Sequence, residues 1–319
     1  MKIKHAVMIG MLGLISDRFH VYHSEKDFYQ RLELIKQIQE SDGIEIVYPT
    51  EFADINQTIK IIKDSGVTVS AVNLNIKSEK RWENGAFTSP DPKIRAASVN
   101  ELKIAMDIAA ELGTDMVSCC PLIDGHNYNF EVDYLNQWNW LEEGIAEGSK
   151  HRGDIRVSME YKLNEARNFN ILSDMGRTLY LCQRIGLPNV GVTMDVGHAL
   201  IGKETPAEVL TLAAQAGRLF YVHFNDNGRE WDWDMLPGSV NLWDLLEMIF
   251  YLERLNWDGW FAYDIFTRNG DPVENMSASI SIIESAIKLV HKIGLAQLQE
   301  FINESNSAYT FTKLWRALI

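Results

Sequence analysis

Four short apolar segments in the second half of the chain each end in a side chain able to bind a metal ion. Val157-Ser-Met ends in Glu160, Val192-Thr-Met in Asp195, Phe220-Tyr-Val in His223 and Phe261-Ala-Tyr in Asp264. Three carboxylates and one imidazole suit a hard or borderline divalent cation. Mn²⁺ is the first expectation, with Mg²⁺ or Co²⁺ as alternatives. Zn²⁺ suits the set less, since no thiolate and one imidazole take part. Without a cation the three carboxylates would repel one another, so ion binding explains why they coexist. Any one of them alone serves equally as a structural hydrogen-bond partner. Four in succession make the case.

A second set lies close by in sequence. His198 follows Asp195 by three residues, and Asp232 and Asp234 flank Trp233 in the loop after the seventh strand-like segment. Sharing Asp195, these residues could hold a second cation, so one or two ions per chain are expected. The competing reading of Glu230-Trp-Asp-Trp-Asp234 is a solvated acidic loop. In the same loop, Arg229 is placed to bind a substrate hydroxyl, or else to form a loop salt bridge. Trp231 and Trp233 could wall an apolar face of a ligand, or simply pack the loop.

Such residues need a scaffold that brings strand ends together. Strands are read near Ala6–Gly10, Ile44–Tyr48, Val69–Asn73, Met116–Cys120, Arg156–Glu160, Gly191–Asp195, Phe220–His223 and Trp260–Asp264. Helical patterns include Lys26–Glu40, Lys93–Leu112, Asn136–Ser149, Ile171–Ile185, Pro206–Ala216 and Leu242–Leu255. Eight β/α alternations imply a parallel sheet, and the fold class is α/β. An open dinucleotide-binding sheet would want Gly-x-Gly-x-x-Gly after the first strand, which Gly10-Met-Leu-Gly13 does not supply. A closed (β/α)8 TIM barrel fits better and places chemistry at the C-terminal strand ends. The expected division is a barrel over residues 1–292 and a C-terminal helical arm over 293–319. Phe301, Trp315 and Leu318 anchor the arm, which is read as a subunit contact in a homo-oligomer rather than an added layer.

The composition of the 319 residues narrows the function. Thirty Lys and Arg against 44 Asp and Glu leave a charge of −14. That balance argues against a nucleic-acid partner and against an anionic membrane surface. No apolar run approaches the ~20 residues of a membrane span. The absence of a small-residue cleavage site leads to an expectation of cytoplasmic location. Cys119, Cys120 and Cys182 are read as reduced thiols. Cys119 and Cys120 point to opposite faces if they lie on a strand, so they form no metal pair. No Gly-rich phosphate cradle follows the seventh or eighth strand, so the expected substrate is a small unphosphorylated molecule.

The run Glu160-Tyr-Lys162-Leu-Asn164-Glu165-Ala-Arg167 resembles the Glu-x-Lys-x-Asn-Glu-x-Arg run of xylose isomerase, and the whole chain resembles the xylose-isomerase-like barrel superfamily. The likeness is carried by strands five to eight. It implies structural-metal ligands at Glu160, Asp195, His223 and Asp264, with rhamnose isomerase closer because it carries His on the seventh strand. It implies catalytic-metal ligands at Asp195, His198, Asp232 and Asp234, and a carbonyl-polarising Lys at Lys162. Asn164 joins Arg229 and Trp231 as expected substrate contacts. The early His–Asp pair that helps xylose isomerases open the sugar ring has no counterpart after strands two and three. His23 and His126, in Asp124-Gly-His126-Asn-Tyr128, are the substitutes.

The function so implied is a divalent-metal-dependent sugar isomerase that interconverts an unphosphorylated aldose and ketose by a metal-assisted hydride shift. The alternative is single-metal proton abstraction in an epimerase, an inosose dehydratase or the large subunit of a C-glycoside deglycosidase. In that case Glu160, His126 or His23 is the base, and the deglycosidase would need a small partner subunit. Ketose 3-epimerases use two Glu residues as acid and base. Asp264 is one methylene shorter, which weakens that pairing. A non-catalytic sugar-binding barrel is the second alternative.

Overall fold

The computed structural model describes residues 1–266 and 268–319. Eight parallel strands close a barrel: β1 Ile3–Met8, β2 Gly43–Tyr48, β3 Val69–Leu74, β4 Met116–Cys119, β5 Arg156–Glu160, β6 Val190–Asp195, β7 Leu219–Phe224 and β8 Gly259–Tyr263. Each strand pairs with the next in sequence, and β8 closes on β1. The segments are short, mostly β-branched or aromatic, and buried on both faces, as parallel strands under a helical layer must be.

Around the barrel run α1 Phe28–Ile35, α2 Ile55–Ser65, α3 Pro92–Leu112, α4 Tyr134–Ser149, α5 Met175–Ile185, α6 Val196–Ile201, α7 Pro206–Gln215, α8 Leu242–Arg254 and α9 Pro272–Ile293. Aspartates start most of them: the side chains of Asp27, Asp54, Asp91, Asp133, Asp174, Asp195 and Asp271 accept first-turn backbone N–H groups. Such caps satisfy donors that the helix itself cannot, and they complement the positive end of its dipole. No helix among the described residues is long and apolar enough to cross a membrane.

Residue parity along the strands sorts the two faces. Val7, Val72, Val117, Val157 and Val192 join the large core under the helices. The opposite parity lines the interior in layers. Ala6, Ala71, Met116, Tyr221 and Ala262, from five strands, make a small apolar plug. Two residues further along come polar side chains: Asn73 and Glu45 hydrogen-bond at 2.9 Å, Ser118 and Glu45 at 2.6 Å, and Thr193 and Ser158 at 2.7 Å. Above them lie Glu160, Asp195 and His223. The apolar plug thus floors a polar interior that opens at the C-terminal strand ends.

Two helices follow the barrel, α10 Leu295–Glu304 and α11 Ser307–Leu318. They fold back onto α8 and α9 of the same chain. Trp243 of α8 meets the rings of Phe311 and Trp315 at 5.6 and 5.5 Å, and Phe301 is buried. Trp315 and Ile302 keep about half of their surface exposed.

Candidate active site

β5, β6 and β7 deliver Glu160, Asp195 and His223 to one point. The three side chains are buried, and each offers a ligand atom within 4.8 Å of the others. Asp195 and His223 are register partners. His223 Nδ1 lies 3.5 Å from Glu160 Oε1 and 3.7 Å from Asp195 Oδ2. Asp264 follows β8; its Oδ1 is buried and unpartnered. Three of the four residues in the first sequence-predicted set therefore converge; Asp264 falls outside that cluster of ligand atoms, although its carboxyl feels the charges of His223, Asp195 and Glu160.

The second set is also assembled, but protein groups cross-link it. His198 presents Nδ1 to Glu160 Oε1 at 3.1 Å and Nε2 to Asp232 Oδ2 at 3.1 Å. Lys162 Nζ meets the same Asp232 oxygen at 2.9 Å and Glu165 Oε2 at 2.6 Å. The Asn225 side-chain amide donates to Asp195 Oδ2 at 3.0 Å and to Asp234 Oδ1 at 3.2 Å. His198, Asp232 and Asp234 do not share a single three-atom ligand cluster among the described residues. Asp195 has a second duty: its Oδ1 accepts from His198 N at 2.8 Å and caps α6. This cap turns the chain so that His198 faces back over the strand ends.

The charges are strongly coupled. Burial, reinforced by the charges of Asp195 and Glu160, pushes the Asp264 carboxyl up to about 7, against the pull of His223. Burial likewise raises Asp195, and Glu160 and Asp232 add to it. Burial alone would raise Glu160 as well, but His223 and His198 outweigh it and hold this carboxyl well below its usual range. Burial would lower both imidazoles, yet the carboxylates win. Asp195 and Asp232 raise His198, and Glu45 and Glu160 raise His223. Lys162 is held well above its usual range by Asp232 and Glu165 despite its burial.

A divalent cation fits this arrangement. His198 Nδ1, His223 Nδ1 and Asp264 Oδ1 are buried atoms without a hydrogen-bond partner, and the two nitrogens face carboxylates. Without a cation the imidazoles must stay protonated to balance the acids. A divalent ion would replace those protons, since metal ligands bind deprotonated.

The remaining predicted residues lie around the rim. His126, in a short antiparallel strand pair with Phe169, stacks on that ring at 5.0 Å and approaches the Tyr134 hydroxyl at 3.4 Å. His23 lies in a hairpin, Ile15–Ser16 with Val21–His23, beyond the end of β1. The Arg229 guanidinium is taken up by Asn241 at 2.9 Å and Asp244 at 2.8 Å. Trp231 and Trp233 are each more than two-fifths exposed. The Arg268 guanidinium lies 5.0 Å from the Trp233 ring. Asn164 is half-buried in the turn after Lys162.

Sequence reasoning gave three residues of this site no role in it. Cys120 Sγ lies within the same 4.8 Å span of Glu160 and His198. Its burial pushes the thiol well above the ordinary range, so it stays neutral. Asn225, directly after β7, bridges Asp195 and Asp234. Glu45, in the middle of β2, belongs to no motif, yet its carboxylate meets His223 Nε2 at 2.9 Å. An acid inside the otherwise apolar Gly43-Ile-Glu-Ile-Val-Tyr48 was the available signal.

Comparison with known proteins identifies the family and the fold. Residues 32–286 match the family described as xylose isomerase-like TIM barrel. Xylose isomerase of Thermus thermophilus is 27% identical over 206 residues, covering 63% of this chain and 53% of that protein. The chain thus spans about half the length of that relative. Among solved structures, a D-tagatose 3-epimerase-like protein superposes with a TM-score of 0.70 at 18% identity, covering 91% of this chain and 98% of the other. An L-ribulose 3-epimerase gives 0.70 at 18%, covering 91% and 96%. At that identity these two likenesses speak for the fold.

Proposed function

The chain belongs to the xylose isomerase-like TIM barrel family, and we propose that it is a divalent-metal-dependent isomerase interconverting an unphosphorylated aldose and ketose. The observation that carries this reading is the buried chain Lys162–Asp232–His198 beside the Glu160, Asp195, His223 and Asp264 set. When bound there, a divalent ion, Mn²⁺ first, supplies Lewis-acid polarisation of substrate oxygens. Lys162 stays an ammonium, so it acts as a hydrogen-bond donor to a developing oxyanion and not as a base. Asp232 and Glu165 fix its direction. Trp231 and Trp233 offer apolar surface at the rim for a sugar face, and Asn164 offers a polar contact; Arg229, held by Asn241 and Asp244, braces the loop instead. Hydrogen moves between C1 and C2 of the open-chain sugar without leaving to water.

A second reading has its own support. Asn225, Lys162 and His198 already partner Asp232 and Asp234, which supports ion binding at the Glu160, Asp195 and His223 cluster alone. The similar solved structures named above are 3-epimerases or epimerase-like by name. On this reading Glu160, buried beside the ion, moves a proton to or from a sugar carbon. The rim histidines His126 and His23 are the alternative bases on this reading.

One experiment separates them. A C2-deuterated aldose is incubated with Mn²⁺-loaded protein in ordinary water. The isomerase reading expects ketose with the label retained at C1. Label lost to solvent, or a product epimeric at C3, sinks it in favour of proton transfer. Ion content per chain, measured on the same sample, reads one for the epimerase site and two where the second set also binds.

A further inference from the structure

Below the ion ligands, one buried carboxylate has no part in the proposed reaction. Glu45 sits between Ile44 and Ile46 on β2 and is fully buried. A buried charge persists only when it is paired and hydrogen-bonded. Three other strands supply the partners. Asn73 Nδ2 of β3 donates to Oε1 at 2.9 Å, and Ser118 Oγ of β4 at 2.6 Å. His223 Nε2 of β7 meets Oε2 at 2.9 Å. The last contact crosses the interior, because β2 and β7 are not neighbours in the barrel.

An imidazole can ligate an ion only through the nitrogen that carries no proton. Glu45 takes up Nε2. That leaves Nδ1, which is unpartnered and faces Glu160 and Asp195. Carboxylates in this position fix the orientation and tautomer of metal-binding histidines and strengthen them as donors.

We propose that Glu45 is a positioning residue of the ion site, holding His223 with Nε2–H toward β2 and Nδ1 toward the ion. The proposal rests on His223 being a ligand, as the proposed function has it. The polar interior layer is then a support for the site: Asn73 and Ser118 fix Glu45, and Glu45 fixes His223.

The test is a Mn²⁺ titration of the full chain, with free Mn²⁺ read by electron paramagnetic resonance. Wild type, Glu45→Gln, His223→Ala and the double variant are compared. Loss of such a support weakens metal affinity by about 10–100-fold. Glu45→Gln should fall in that range, His223→Ala should lose at least as much, and the double variant should lose no more than His223→Ala. A Glu45→Gln affinity within twofold of wild type, with His223→Ala weakened, overturns the role of Glu45 alone. A His223→Ala affinity within twofold of wild type overturns the ligand reading beneath it. Equal and fully additive losses would mark Glu45 as independent of His223 and also overturn the proposal. If Glu45→Gln does not fold, ¹⁵N-histidine spectra of Mg²⁺-loaded wild type decide: His223 must be protonated at Nε2 and unprotonated at Nδ1. A protonated Nδ1 refutes it.

Discussion

Lys162 carries the one ammonium buried beside this cluster of acids, and its partners tell what its loss should do. Asp232 and Glu165 hold it charged and aimed. Replacing it with a neutral side chain of similar length removes a donor to the transition state, an effect typically worth about 10²–10³ in rate. Lys162→Met should therefore lower kcat by about that factor. Removing a positive charge near the ligands should leave Mn²⁺ binding at least as tight. Parallel loss of bound Mn²⁺ would make Lys162 a structural brace instead. The same charges set a pH dependence. Asp264 in the folded chain titrates near 7 rather than at its ordinary 3.8. Its contribution to stability is present below pH 3.8 and lost as pH rises through about 7. His198 and His223 are raised as well, so their contribution is full below 6.5 and declines above it. All three point the same way. The ion-free protein should become less stable between about pH 5 and 8, and the gain in melting temperature on adding Mn²⁺ should grow over that interval. Calorimetry at both pH values checks this; a gain that shrinks with pH contradicts the charge balance described above.

At the scale of elements, the strand ends are legible in the sequence and the cross-barrel contacts are not. Glu160, Asp195, His223 and Asp264 stand out because every barrel strand points its last inward residue to the same mouth, so sequence position alone places it. The eight strands lie within a few residues of their expected bounds for the same reason: short apolar runs fenced by turns. Glu45 is 178 residues from His223, and no local pattern links a side chain on β2 to one on β7. Helix α6 is hidden for a different reason. Its six residues are too few for periodicity, and its start depends on the Asp195 cap. The turn into α6 has a strict requirement at Gly197. A Cβ there would lie 2.5 Å from Asn225 Oδ1, 2.8 Å from Asp232 Oδ1 and 2.9 Å from Asn227 Nδ2. Gly197 N also donates to Asn225 Oδ1 at 2.7 Å. Gly197→Ala should cost about 1–3 kcal/mol from overpacking and push Asp232 away from His198 and Asn225 away from Asp195. The expected result is a variant that folds but loses most of its activity. Wild-type turnover in Gly197→Ala would mean that the loop yields freely and does not fix the site.

For the whole molecule, the charge of −14 argues against a nucleic-acid partner and, on first reading, points to ion ligands. Much of it has a plainer origin in the aspartates that cap seven helices; only Asp195 serves both roles. The chain's acidity therefore reflects how the barrel is built as well as what it holds. The C-terminal arm raises a parallel question of structure against function. Phe301, Phe311 and Trp315 meet apolar surface of the same chain, where the sequence reading expects the anchors to meet another subunit. A cavity of about 290 Å³ remains between α8, α9, α10 and α11. Burial of a large apolar side chain contributes about 1.5–3 kcal/mol, so an arm with several such contacts stabilises the outer layer beside α8. Its main contacts are with α8 and α9, away from the metal-ligand cluster. Truncation after Gly294 should therefore lower the melting temperature, by exposing Trp243 and Phe250, while Mn²⁺ stoichiometry stays that of the full chain. Sedimentation of the two proteins tests the subunit-contact expectation directly: Phe301 is buried within the chain but Trp315 and Leu318 remain exposed, so a subunit contact through the arm predicts a smaller assembly on truncation, and an unchanged one refutes it. Loss of bound Mn²⁺ on truncation would show that the barrel over residues 1–292 does not hold its mouth in shape alone.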